Sequence, residues 1–231
     1  SRTGNIVVTA GAGISVVTSS TPLIIVNEGT IDASGDGISA VNTSTIGNVS
    51  VSQDGNIIAG GRGIYADAAF GSVSLTSSGD ITAVGDGIQL LSSGSDVIAD
   101  HTGNVTSTGG RGIFLDSPNG TVTLTGSGTI QANGDGIFAQ STGVGDSSSV
   151  TWTGNVTSDA GKGVYAYSAN GPVTILTDGN IASHGDALFA MNTSTSPVSV
   201  THTGNLTSAD GNGVYAYTSG GQVSVSVSDS I

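Results

Sequence analysis

Apolar residues along this chain alternate with polar ones in short runs, and no run holds a 3.6-residue period. Val73-Ser-Leu75, Val122-Thr-Leu124, Val173-Thr-Ile175 and Val198-Ser-Val200 each put every second side chain on one face, the signature of a half-buried strand. Two further short apolar segments accompany each such run, bounded by glycine and polar turn residues. One follows a Gly-Asn-Ile anchor: Gly4-Asn5-Ile6, Gly55-Asn56-Ile57, Gly103-Asn104-Val105, Gly204-Asn205-Leu206. The other follows a tetrad written GDGI at 35–38, 85–88 and 134–137, GRGI at 61–64 and 110–113, GKGV at 161–164 and GNGV at 211–214.

The pattern is a repeat that covers the whole chain. Tetrads begin at Gly11, Gly35, Gly61, Gly85, Gly110, Gly134, Gly161, Gly185 and Gly211, at intervals of 24, 26, 24, 25, 24, 27, 24 and 26 residues. Three strands in about 25 residues cannot enclose a core. Burying a Val or Ile contributes roughly 1.5–3 kcal/mol, while ordering each residue costs about 1–2 kcal/mol. Stability must come from stacking one copy on the next. The prediction is an all-β parallel β-helix: one domain over residues 1–231, three strands per coil, about nine coils and, at ~4.8 Å per coil, roughly 43 Å long.

Stacking turns equivalent positions into columns. The second tetrad residue reads Ala12, Asp36, Arg62, Asp86, Arg111, Asp135, Lys162, Asp186, Asn212, so three of the chain's four basic residues alternate with aspartates. Opposite neighbours at strand spacing attract, and a slip by one coil sets Asp on Asp. The column is predicted to be a structural charge ladder that fixes register, with a two-coil repeat as the true unit. A second column, Asn5, Thr30, Asn56, Asp80, Asn104, Thr129, Asn155, Asn180, Asn205, is expected to form a ladder of side-chain amides. Its Asn-x-Thr patterns follow from the repetition without glycosylation.

The residue just past the tetrad gives a third column: Ser15, Ser39, Tyr65, Gln89, Phe114, Phe138, Tyr165, Phe189, Tyr215. Its sequence neighbours are aliphatic and must share the inner face, so this column points outward. With Tyr167 and Tyr217 beside it, eight of the ten aromatic residues fall on one strip. Two readings stand: rings stacked on one another to stabilise the sheet, or an exposed patch that binds a glycan, another protein or a neighbouring rod.

Loop lengths differ between copies. From the tetrad's Ile or Val to the next V-x-V run, Ile64–Val73, Ile113–Val122, Val164–Val173 and Val214–Val223 are constant, whereas Ile38–Val49, Ile88–Val97, Ile137–Val150 and Leu188–Val198 vary. The segment 141–148 is expected to be the longest insertion, at a corner where a solenoid presents ligand-contacting residues.

Composition narrows the function. Seventeen acidic side chains against four basic ones, a formal charge of −13, exclude nucleic acid and anionic membranes as partners. The absence of Cys excludes disulfides and Cys-based metal sites. His101 and His202 share a repeat position with Trp152 between them, but lie too many coils apart to share a metal, and His184 sits elsewhere in its copy. No acid–base constellation forms at matching phase, so no catalytic residue, metal or cofactor is expected, and the chain reads as no enzyme. The T-x-T at Thr151–Thr153 and Thr201–Thr203 is interrupted by the copy between them, which argues against an ice-binding array.

The combined motif, G-[ND]-I-x-[AS], then G-[DR]-G-[IV]-x-[AL], then V-x-V, resembles the repeats of bacterial autotransporter passenger domains and related β-strand-repeat surface proteins. The resemblance implies a right-handed β-helix, exported and Cys-poor, displayed at the outer-membrane surface or released from it, and acting as an adhesin or stalk. Partners on that reading are a host-cell protein or glycan, or neighbouring copies of itself. Contact with the outer membrane would run through parts of the chain outside this sequence. Both ends fall in mid-repeat, with Ser226–Ile231 stopping at a strand. The expectation is therefore a segment of a longer chain or, alternatively, a filament subunit stacking end to end; a polysaccharide-acting enzyme ranks lower.

Overall fold

A computed structural model describes residues 2–20 and 22–229, with side chains from residue 4 onward; Ser230 and Ile231, at the expected stop of the last strand, lie outside the described residues. The chain winds as a parallel β-solenoid of about nine turns with three strands per turn, and among the described residues it forms no helix. Sheet A has ten strands, six residues long apart from the first, Arg2–Thr3; sheets B and C have nine strands each, of three and five residues. Every strand pairs in parallel and in register with its counterpart one coil away, so that Ile57, Ile81, Val105 and Ile130 stack in sheet B and Ile64, Ile88, Ile113 and Ile137 in sheet C.

Alternation decides which side chains fill the interior. Along Val164–Ser168 the buried positions are Val164, Ala166 and Ser168, while Tyr165 and Tyr167 lie on the outer face. Fully buried β-branched and leucine side chains from all three sheets merge into one continuous core along the rod. Each coil adds only a few such residues, so burial becomes sufficient through repetition.

Two of the three corners depend on glycine. Between sheets A and B the chain turns at a glycine with φ from 98° to 142°, at Gly4, Gly29, Gly55, Gly79, Gly103, Gly128, Gly154, Gly179 and Gly204, a region L side chains rarely adopt. Between sheets B and C the tetrad's second glycine, from Gly13 to Gly163, has no space for a Cβ. At Gly136 it would lie 2.3 Å from Val156 Cγ1 and 2.6 Å from the Gly163 carbonyl.

The third corner corrects one expectation. The sixth full strand of sheet A begins at Ser148, which stacks between Val122 and Val173, and Val150 aligns with Leu124 and Ile175. Counted from Ser148, the loop after Ile137 is no longer than the one between Ile38 and Val49. Ser148 escapes a reading based on apolar letters because its hydroxyl donates to the Ala139 carbonyl at 3.1 Å, which lets a serine occupy an interior valine position.

Candidate functional site

Sheet C carries the most distinctive surface. In-register stacking brings Tyr65, Gln89, Phe114, Phe138, Tyr165, Phe189 and Tyr215 into one outward column. Phe138 and Tyr165 stack at 4.4 Å and 8°, Tyr165 and Phe189 at 4.9 Å and 7°, Phe189 and Tyr215 at 4.8 Å and 7°. Phe114 meets Phe138 edge-on, at 5.2 Å and 75°. Parallel rings at strand spacing turn their faces to each other, which leaves mainly edges and phenolic hydroxyls toward solvent. Tyr167 sits beside Tyr165 with centroids 6.5 Å apart, its hydroxyl 3.4 Å from Thr193 Oγ1, and Tyr217 is 43% exposed. Burial pushes the Tyr165 phenol up to about 12.

The basic residues of the tetrad column lean over these rings. The Arg62 guanidinium lies 3.6 Å from the Tyr65 ring centre, and Arg111 lies 4.2 Å from Phe114 and 4.7 Å from Phe138. Lys162 Nζ lies 5.2 Å from Phe189. Charge column and ring column are therefore one structure, with cations covering ring surface. From the sequence they are two separate columns; the tetrad's basic residue and the ring lie three positions apart across a corner.

The acids of the column do a second job. Oδ1 of Asp36, Asp86, Asp135 and Asp186 accepts the backbone N–H of Arg62, Arg111, Lys162 and Asn212 in the following coil, at 2.7–2.8 Å. Among the described residues, ion pairs in this column join Asp36 to Arg62 at 2.7 Å and Arg111 to Asp135 at 3.5 Å. Arg62 also donates to Gln89 Oε1 at 3.0 Å. Burial opposes the Arg62 charge, yet the Asp36 carboxylate outweighs it and raises the guanidinium pKa. The ladder is thus uneven in its ion pairs and regular in its amide bonds.

The same bond recurs at the other corners. Oδ1 of Asn56, Asp80, Asn104 and Asn155 accepts the N–H of Asp80, Asn104, Thr129 and Asn180 at 2.8–2.9 Å. Asn48 and Asp96 do so for Ser72 and Thr121, at 3.0 and 2.8 Å. The expected amide-to-amide ladder is therefore replaced by a side-chain oxygen holding a backbone N–H. The corner interrupts the regular strand pairing that would otherwise satisfy these N–H groups. Asp80 serves as well as asparagine because only an acceptor is needed.

Inside sheet A, the repeat position that the sequence shows His101, Trp152 and His202 to share proves to be an inward column, Asn27, Gln53, Ser77, His101, Gly126, Trp152, Thr177, His202. Continuing the alternation from Val97 through Ala99 to His101 would have placed it inward. Large rings alternate here with small residues: His101 and Trp152 stack at 6.4 Å and 15° across Gly126, where a Cβ would come within 2.5 Å of Trp152 Cζ3. Several members reach the carbonyls that the glycine corner turns inward. Gln53 Nε2 donates to Gly29 and Gly55 at 2.9 and 3.0 Å, and Trp152 Nε1 to Gly128 at 3.0 Å.

The structure corrects the expectation that no acid meets a histidine: His184 Nε2 lies 3.2 Å from Asp210 Oδ2, with both side chains largely exposed. Asp116, whose carboxyl burial pushes up, meets Gln140 at 3.4 Å, and Asp67 accepts the Tyr65 hydroxyl at 3.0 Å.

Fold and surface define the chain as a parallel β-solenoid whose polar and aromatic groups are directed largely at neighbouring coils. The family described as "Periplasmic copper-binding protein (NosD)" matches residues 70–227, about two thirds of the chain, and the chain belongs to that family. No curated protein and no solved structure matches it. The donor set does not fit a copper centre. The chain has no Cys, one Met and three His, and among the described residues no three His, Cys, Asp or Glu side chains converge. His101 and His202 are buried and three strands of sheet A lie between theirs, while His184 pairs with Asp210 on the surface at 3.2 Å.

Proposed function

We propose that this chain is a non-enzymatic, extracytoplasmic bacterial segment that works as a rigid stalk, of the kind autotransporter-like surface proteins use to hold other parts away from the membrane. The observation that carries the proposal is the use of side chains between coils. Aromatic faces cover one another, cations cover aromatic faces, and Asx oxygens hold the amides of the next coil. A sugar-binding platform needs open ring faces, which this strip offers sparingly. The periplasmic description of the family and the Cys-free composition support a place outside the cytoplasm.

The stalk reading is tested by presenting the purified segment to arrays of glycans and matrix proteins, beside a Tyr167→Ser/Tyr217→Ser variant. The expected result is no saturable binding above background for either. Saturable binding lost in the variant would make the segment an adhesin and overturn the stalk. Titration with copper is expected to show no stoichiometric uptake.

A further inference from the structure

The interior column of sheet A places two imidazoles so that Nδ1 of each meets the hydroxyl beneath the ring. Nδ1 of His101 lies 2.8 Å from Ser77 Oγ, and Nδ1 of His202 lies 2.9 Å from Thr177 Oγ1. Both residues are at most 1% exposed, and Nε2 of each ring has no hydrogen-bond partner. A neutral imidazole tolerates this, because one ring nitrogen can remain an unused acceptor. An imidazolium carries two N–H donors and a charge; the backbone acceptors at the Gly103 and Gly204 corners attract it but do not meet Nε2 in hydrogen-bond geometry, so burial leaves the charge poorly compensated.

We infer that the coils carrying His101 and His202 are acid-sensitive joints in the rod, held closed by neutral imidazole and loosened in sheet A when the ring takes a proton. The electrostatic surroundings agree. Desolvation pushes His101 down to about 4, against the opposing pull of the Gly103 carbonyl and the Asp80 and Asp100 carboxylates. His202 is lowered for the same reason, opposed by Gly204, Asp178 and Asn205. Ser77 below His101, and Gly126 and Trp152 above it, add no charge. Because the folded value lies below the ordinary 6.5, the histidine contribution is complete above pH 6.5. It is lost progressively as the pH falls toward 4, by roughly 300-fold in proton affinity.

Trp152, the single tryptophan, stacks with His101 and reports on it directly. Fluorescence of the folded protein is followed from pH 8 to 3.5 in the wild type and in His101→Gln. Gln53 occupies the same column buried and bonded to the corner carbonyls, so glutamine is accommodated. The expected result is a reversible transition between pH 6.5 and 4 in the wild type that is absent from the variant. A transition unchanged by His101→Gln, or none above pH 4 in the wild type, overturns the joint. Imidazole NMR shifts of the unmodified protein give a second reading: two rings that stay neutral well below pH 6.5 support the proposal, and ordinary titration of all three rings refutes it.

Discussion

Asp86 shows how one side chain serves two ends. Its carboxylate belongs to an alternating column, yet its bond is to the Arg111 amide at 2.7 Å, a group that corner geometry leaves without a strand partner. An acceptor is needed there more than a charge, as Asn56 and Asn180 show by doing the same work at 2.8 and 3.1 Å. Asp86→Asn is therefore expected to change stability by less than about 0.5 kcal/mol. Asp86→Ala, which strands the amide, is expected to cost about 1–2 kcal/mol. Thermal or denaturant melts of the two variants decide this; equal losses would show that charge, not the acceptor, is what matters. The columns themselves were legible in the sequence, because identical letters at a fixed interval reveal stacking. What each side chain bonds to was not, because Asn and Asp offer both a ladder and a backbone acceptor, and only the corner's unpaired N–H selects between them.

At the scale of the sheet, the aromatic strip and the tetrad cations act together. Arg111 covers Phe114 and Phe138 and pairs with Asp135. Arg111→Asp removes both contacts and places three carboxylates in succession, for an expected loss of about 2 kcal/mol, more than a lone surface ion pair contributes. An unchanged melting temperature would show that the column has no energetic role. The corner between sheets B and C supplies a second coupling. The tetrad's second glycine sits against a β-branched residue of the next coil at Gly37–Ile57, Gly63–Ile81, Gly87–Val105, Gly112–Ile130, Gly136–Val156 and Gly163–Ile181, each within 2.5 Å of a built Cβ. The tetrad at 185–188 has Ala187 instead, and the residue that opens the next sheet B strand is Leu206, which is not branched at Cβ. Gly163→Ala alone is expected to cost about 1–3 kcal/mol by overpacking. Ile181→Leu should recover part of that loss in the double variant, a positive coupling that a double-mutant cycle measures. The outward direction of the strip was readable from alternation. The meeting of cation and ring was not, because it depends on how the corner between them folds.

From Ser77 to His202 the molecule is built in steps of two coils, inside and outside alike. Outside, Asp coils alternate with Arg or Lys coils; inside sheet A, the rings of His101, Trp152 and His202 alternate with Ser77, Gly126 and Thr177. The three-stranded coil and its count could be read from the spacing of the tetrads. Of the interior half of this period, the shared position of His101, Trp152 and His202 was legible, but not that it faces inward, because a glycine between a histidine and a tryptophan looks unremarkable until a Cβ is seen to strike Trp152. Stability in a solenoid is close to a sum of nearest-neighbour interfaces, so the period can be tested by excision. Removing residues 86–134 joins Gly85 to Asp135, which sets Asp135 over Arg62 and Trp152 over Ser77: opposite charge on charge and ring on small residue are both kept. Removing residues 86–110 joins Gly85 to Arg111, sets Arg111 over Arg62, leaves the Arg111 amide without its aspartate and puts Gly126 over Ser77 with no ring between. The smaller excision is expected to be worse by on the order of 3 kcal/mol, from the unpaired amide, the like charges and the void. In a protein of this size that is about 6–12 °C in melting temperature. A chain that has lost more of itself should thus outlast one that has lost less. If the single-coil excision melts at or above the double, the two-coil unit has no energetic basis.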